Sequence, residues 1–412
     1  VRADTVRFDD LAAPDYPEAC APIRDMLAEY GAGLVLDPAV LRATAVERTG
    51  LSAWGEERFA ERLEVLCRSL REEAALSASG TAIVFEQLVQ TLSGRLLIED
   101  LVAGHPEIED VAIDRPIIIC GLPRTGTTHL HNMLAADPAL RHLPYWESLE
   151  PVLAAAERDA DPDPRPARCA AGLDLLDGVM PEFKRMHEMT VEHAQEELQL
   201  LAYDVSGMLF ECSAHLPTWS AYQRTSGQDA SYAYLKRVLQ VLQWLRGGER
   251  WVLKSPQHLE HYGPLLRTFP DATFVLTHRD PVAVTASVCT MVAYAARMAS
   301  EHPDPVAIGR QFAGRLEDLL HACVRDRDLL PAAQSIDIRF EDFMADEEGT
   351  IAAIYALADQ PLDAPARGAM AAFREAHPRG RHGFVEYDLA ALGLDADAID
   401  RAVADYRERF LA

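Results

Sequence analysis

The chain has 412 residues, 49% of them apolar and 25% charged, which is enough to bury a sizeable core and excludes a disordered or fibrous protein. Thirty-nine Lys and Arg against sixty-five Asp and Glu leave a formal charge of −26, which excludes nucleic acid as a partner over most of the surface. Any anion bound here must be held by a local basic cluster. No apolar run approaches the roughly 18–20 residues of a bilayer span, and the start VRADTVRFDDLAAPDYPE lacks the basic-then-apolar order of an export signal. A cytoplasmic protein is expected. The seven cysteines are odd in number, far apart and never in a CxxC pair, so neither a disulfide framework nor a zinc ribbon is expected.

In chain order, residues 1–112 read as an all-helical region. Phe59, Leu63, Leu66 and Leu70 share one helix face, Ile83 to Leu101 repeats the habit, and Gly31, Gly33, Gly50 and Gly80 mark helix ends. The texture changes at Arg115-Pro116. The β-branched run Ile117 to Cys120 reads as a buried parallel strand, and Trp251–Leu253, Thr273–Thr277 and Ser335–Arg339 read as further strands, each followed by a helix-like stretch. That alternation predicts a doubly wound, P-loop-like α/β domain over 113–412, with a parallel sheet flanked by helices and its site at the carboxyl ends of the strands. A helical insertion over about 145–248 separates the first strand from the second.

The segment GLPRTGTT (121–128) follows the first strand and opens a helix, so backbone N–H groups and a positive helix end converge where an anion can sit. It is similar to a Walker A loop, but Thr127 stands where the phosphate-binding lysine belongs and a basic residue appears earlier, as Arg124. A kinase or hydrolase using ATP and magnesium, or a non-catalytic nucleotide-binding protein on the same fold, is the alternative reading. Lys254 ends a second strand. Arg279 ends a third, ahead of Asp280 as N-cap and Pro281 as the first helical residue, with Ser287 further along that helix.

These motifs resemble the 3′-phosphoadenosine-5′-phosphosulfate (PAPS) dependent sulfotransferases, in the bacterial branch with a helical N-terminal extension. GLPRTGTT resembles that family's 5′-phosphosulfate loop and RDPVAVTAS (279–287) its 3′-phosphate motif; IRFEDFMAD (338–346) and HPRGRHGF (377–384) extend the similarity. The resemblance covers about residues 115–412. It implies that Arg124, Thr125, Gly126, Thr127 and Thr128 hold the 5′-phosphosulfate, that Arg279, Ser287, Arg379, Gly380 and Arg381 hold the 3′-phosphate, that no metal takes part, and that Lys254 touches the bridging oxygen that leaves. The implied acceptor is a hydroxyl on a hydrophobic small molecule, free or carrier-bound. Where cytosolic animal members have Lys-Thr-His, this chain has Lys254-Ser255-Pro256, and the aromatic that stacks on adenine falls at His129.

The base must then come from elsewhere, and a group that titrates near neutrality favours histidine. His187 in the insertion is the candidate, oriented by Glu196 or Glu197, or with these holding the substrate; His258 is the reserve. Read without the resemblance, the same stretch also fits a solvated acidic helix, and its HExxxxH spacing is not that of a zinc protease. Tyr145 and Trp146 are candidate acceptor contacts. Met180, Phe183, Met186, Met189, Tyr203, Met208, Phe210, Trp219 and Tyr222 are either an apolar acceptor pocket or ordinary core.

Overall fold

The computed structural model describes residues 4–378 and 380–412. A two-residue strand β1 (Thr5–Val6) precedes a run of helices ending in the long helix Ala78–Gly104. Then come β2 (Ile117–Gly121), β3 (Val252–Ser255), β4 (Thr273–His278), β5 (Ser335–Arg339) and the short β6 (Phe384–Val385). Strands β2 to β5 form one parallel sheet in the order β3-β2-β4-β5, and β1 pairs with β6. The chain passes from β2 to β3 on one side and then crosses to β4 on the other, so the end of β2 lies at the switch in strand order, where open α/β sheets bind ligands.

Both faces of the sheet are covered at its centre, which is why β2 and the middle of β4 read as apolar runs, whereas edge strand β5 mixes buried and exposed residues. Alternate side chains of a strand point to opposite faces. Ile118, Cys120, Leu253, Phe274 and Leu276 pack into the larger core, whereas Ile117, Ile119, Val252 and Val275 meet Leu130, Met133, Ile351 and Ile354 on the other side. The helix Pro281–Ala295 runs over the first face. The window Pro281–Met298 is apolar and long enough to cross a bilayer, but 72% of it is buried inside the protein. All seven cysteines are unpaired, six of them buried.

The N-terminal region differs from an all-helical unit. β1 adds to β6, Phe8 packs against Tyr294 with ring centroids 4.4 Å apart, and Ile98, Leu101 and Val102 join the same core as the strands. Helices Pro38–Thr49 and Phe59–Glu72 form a second core with the outer part of Ala78–Gly104. Gly50 ends its helix in a left-handed conformation (φ +69°), as the sequence predicts. Gly80 does not end a helix: it lies in the first turn of Ala78–Gly104, where a Cβ would be driven into the Ala299 carbonyl.

Candidate active site

β2 ends at Gly121, and the loop beyond it turns through two left-handed residues, Arg124 (φ +70°) and Gly126 (φ +87°), before the helix Thr127–Ala135 begins. The Thr125 hydroxyl is used inside the loop, 2.7 Å from the Leu122 carbonyl oxygen and 2.6 Å from the Thr277 hydroxyl, which ties the loop to β4. Thr125 and Thr127 are buried, so of the three threonines only Thr128 lines the open cleft. The other two have only backbone groups to offer an anion.

Two of the three cations, Arg124 and Arg279, come together. Arg279 follows β4 and donates from Nη1 to the Arg124 carbonyl at 2.6 Å, with its guanidinium 4.1 Å above the Phe340 ring centroid. Asp280 caps the next helix by accepting the Val282 N–H at 3.3 Å. From that helix the Ser287 hydroxyl accepts a 3.0 Å bond from Arg124 Nε, while Arg124 Nη1 donates to the Met186 carbonyl. Lys254, on β3, is 1% exposed; its ammonium pairs with Glu196 and its backbone N–H donates to Glu197 at 2.7 Å.

Arg124, Gly126, Thr128, His129, Arg279 and Gly380 line one side of a cleft of about 630 Å³, and His142, Met186, His187 and His193 line the other. A larger hollow, about 920 Å³, runs along the outer edge of β5. It is open, lined by mixed charges, and shares no wall residue with the cleft, so size does not make it the site.

His187 lines the cleft as a half-buried residue, edge-on to His193 at 5.5 Å. Burial, then His193, Lys254 and Arg124, hold its pKa well below the ordinary imidazole value. The ring is therefore neutral at physiological pH and able to take a proton. Burial and then Lys254 push His193 down to about 4, and its Nε2 has no hydrogen-bond partner among the described residues.

Several expected placements are corrected. Glu196 and Glu197 grip Lys254 rather than orient His187. His258 is fully buried and engaged at both nitrogens, by Tyr232 Oη at 2.8 Å and Glu197 Oε1 at 2.9 Å, so it does not face the cleft. Trp146 is held between the guanidinium groups of Arg165 and Arg246, 4.7 and 4.4 Å from its ring, and donates from Nε1 to Glu192 at 3.2 Å. Neither it nor Tyr145, whose phenol burial raises to about 12, lines the cleft. Gly380 (φ +75°) does, and so does Arg381, paired with Glu188; Arg379 lies outside the described residues. Met180, Tyr203, Met208, Phe210 and Trp219 are core, whereas Met186 touches the cleft. His129 bonds Glu347 at 3.2 Å and lies 5.8 and 6.2 Å from Phe343 and Phe373. Asn132, His142, Glu347 and Arg374 also line the cleft, and no local motif announces them.

A parallel sheet flanked by helices, with a left-handed turn leading from a strand end into a helix, defines an α/β protein of the P-loop-like class. The chain belongs to the sulfotransferase family: the model of that family matches residues 116–364. The crystal structure of the sulfotransferase STF1 from Mycobacterium tuberculosis H37Rv matches with a TM-score of 0.78 at 30% identity, covering 89% of this chain and 98% of that one. For the sulfotransferase STF9 from Mycobacterium avium the TM-score is 0.81 at 26% identity, with 92% and 97% covered. The omega-hydroxy-beta-dihydromenaquinone-9 sulfotransferase Stf3 of Mycobacterium bovis is 24% identical over 294 residues, 66% of this chain and 70% of its own length. Coverage of 89–92% by the solved structures reaches past the family match at both ends, into the N-terminal helices.

Proposed function

We propose that this sulfotransferase takes its sulfuryl group from PAPS and gives it to a hydroxyl of a hydrophobic small molecule, forming a sulfate ester and 3′,5′-adenosine bisphosphate. The observation that carries the reading is the meeting of Arg124 and Arg279 at one cleft, with buried Ser287 bonded to Arg124 and a neutral His187 in the wall, near enough to Lys254 to feel its charge. These groups fit a doubly phosphorylated donor. Arg124 now donates to a hydroxyl and a backbone carbonyl, and Arg279 donates to the Arg124 carbonyl, weaker partners than a phosphate oxygen.

When bound, the donor supplies the sulfuryl group. The loop amides at 125–128 and Thr128 receive the 5′-phosphosulfate, and Arg279, Ser287 and Gly380 the 3′-phosphate. His187 accepts the proton of the acceptor hydroxyl as the new O–S bond forms. Lys254 turns its ammonium from Glu196 to the bridging oxygen as the old S–O bond breaks, stabilising charge where it develops. The acceptor for which Stf3 is named, omega-hydroxy-beta-dihydromenaquinone-9, supports an apolar alcohol here. Calorimetry with 3′,5′-adenosine bisphosphate in EDTA, followed by mass spectrometry of reactions with PAPS and an alcohol library, tests the proposal. Binding without magnesium and an added sulfate are expected; a chain indifferent to the bisphosphate overturns it.

A further inference from the structure

β3 is an edge strand, and its outer side needs partners for its backbone. At its start the neighbouring segment provides one: Val252 N–H donates to the Arg141 carbonyl at 2.8 Å. That segment then turns away, with Pro144 bridging to Ala194 and Leu143 accepting from the Gln195 N–H at 2.8 Å. Two residues on from Val252, the outward N–H of Lys254 meets a side chain, the Glu197 carboxylate, at 2.7 Å. Glu197 is fully buried, and its second oxygen accepts from His258 Nε2 at 2.9 Å. The other ring nitrogen of His258, Nδ1, shares a 2.8 Å hydrogen bond with Tyr232 Oη. All three side chains are buried to within 1% of complete.

We propose that Tyr232, His258 and Glu197 form a buried positioning chain for Lys254, in which the Glu197 carboxylate replaces the missing neighbour strand. The chain hands its order from the helix Asp229–Arg246 to the strand that carries the lysine. The adjacent Glu196 holds the other end of the same residue, at Nζ, so backbone and ammonium are gripped from one short segment of the insertion. Two carboxylates also offset the cost of keeping an ammonium out of water. The part concerning turnover rests on the role given to Lys254 above; the part concerning the backbone does not.

Amide hydrogen exchange over β3, read together with turnover and bisphosphate affinity, tests this in the full-length protein. In Glu197→Ala the Lys254 amide should exchange much faster. Turnover should fall by about 10- to 100-fold, the cost of misplacing a reacting group, while affinity for 3′,5′-adenosine bisphosphate and KM for the acceptor stay within a few-fold. Glu197→Gln should restore amide protection and most of the turnover, because its carbonyl still accepts from Lys254 and its NH₂ can donate to the other tautomer of His258. If Glu197→Ala fails to fold, His258→Phe reads the same split, since it removes the donor to Glu197 and keeps a ring. Unchanged protection at Lys254, or loss of bisphosphate affinity in step with turnover, would overturn the proposal. A wild-type chain that ignores the bisphosphate refutes the donor assignment alone and leaves the exchange comparison to decide the contact chain.

Discussion

His193 stores a measurable share of acid lability in the cleft wall. It is 7% exposed, faces Lys254, Glu188, His142 and His187, and is held neutral because burial and Lys254 push its pKa from 6.5 to about 4. A histidine whose folded pKa lies below its unfolded one contributes full stability above the unfolded value and loses it as the pH falls towards the folded value, because only the unfolded chain binds the proton in that window. For a drop from 6.5 to about 4, the linkage amounts to about 3 kcal/mol in all and about 2 kcal/mol by pH ~5. His193→Gln removes this proton site and keeps a polar side chain of similar reach. Urea denaturation near pH 7.5 and near pH 5 should show the wild type losing about 2 kcal/mol more than the variant on acidification. His187 pulls in the same direction but is present in both proteins. Parallel losses in the two would refute the assignment of His193 as a buried neutral imidazole.

The depressed pKa of His187 also sets the pH profile: with the base free of its proton further into acid, the acid limb of kcat/KM should fall below the ordinary imidazole value of 6.5, and a limb at or above 6.5 would count against His187 as the base. Arg279→Ala should weaken 3′,5′-adenosine bisphosphate by about 10- to 100-fold in calorimetry, the worth of one charge-assisted contact; His187→Ala should lower kcat and leave that affinity unchanged. Gly80→Ala, far from any chemistry, should lower stability by about 1–3 kcal/mol in a urea titration, since the added methyl meets the Ala299 backbone.

The elements that position the site are legible because their signals are local. A strand buried on both faces is largely apolar, so β2 and the Phe274–Leu276 centre of β4 declare themselves, and the loop that turns after β2 and opens a helix reads locally as a place for an anion. Asp280 and Pro281 announce their helix for the same reason: cap and capped groups are two residues apart. The lysine's surroundings are different in kind. Glu196 and Glu197 were legible as residues of the site but not in their task, because a carboxylate's task is set by the donors that reach it, and those lie 57 to 61 residues away on β3 and in the turn after it. His258 reads in sequence as a base beside Lys254, yet in the fold both its nitrogens are spent. Trp146 reads as an acceptor contact, yet two arginines from outside its own helix cover its faces. Gly80 reads as a helix end because composition marks a flexible residue and is silent about what approaches it. What decides each case is whether the partner that consumes a polar group lies within one element or comes from another. Within the insertion, where neighbouring carboxylates serve the two ends of one distant lysine, only the three-dimensional arrangement separates a residue that can move a proton from one that holds a strand in place.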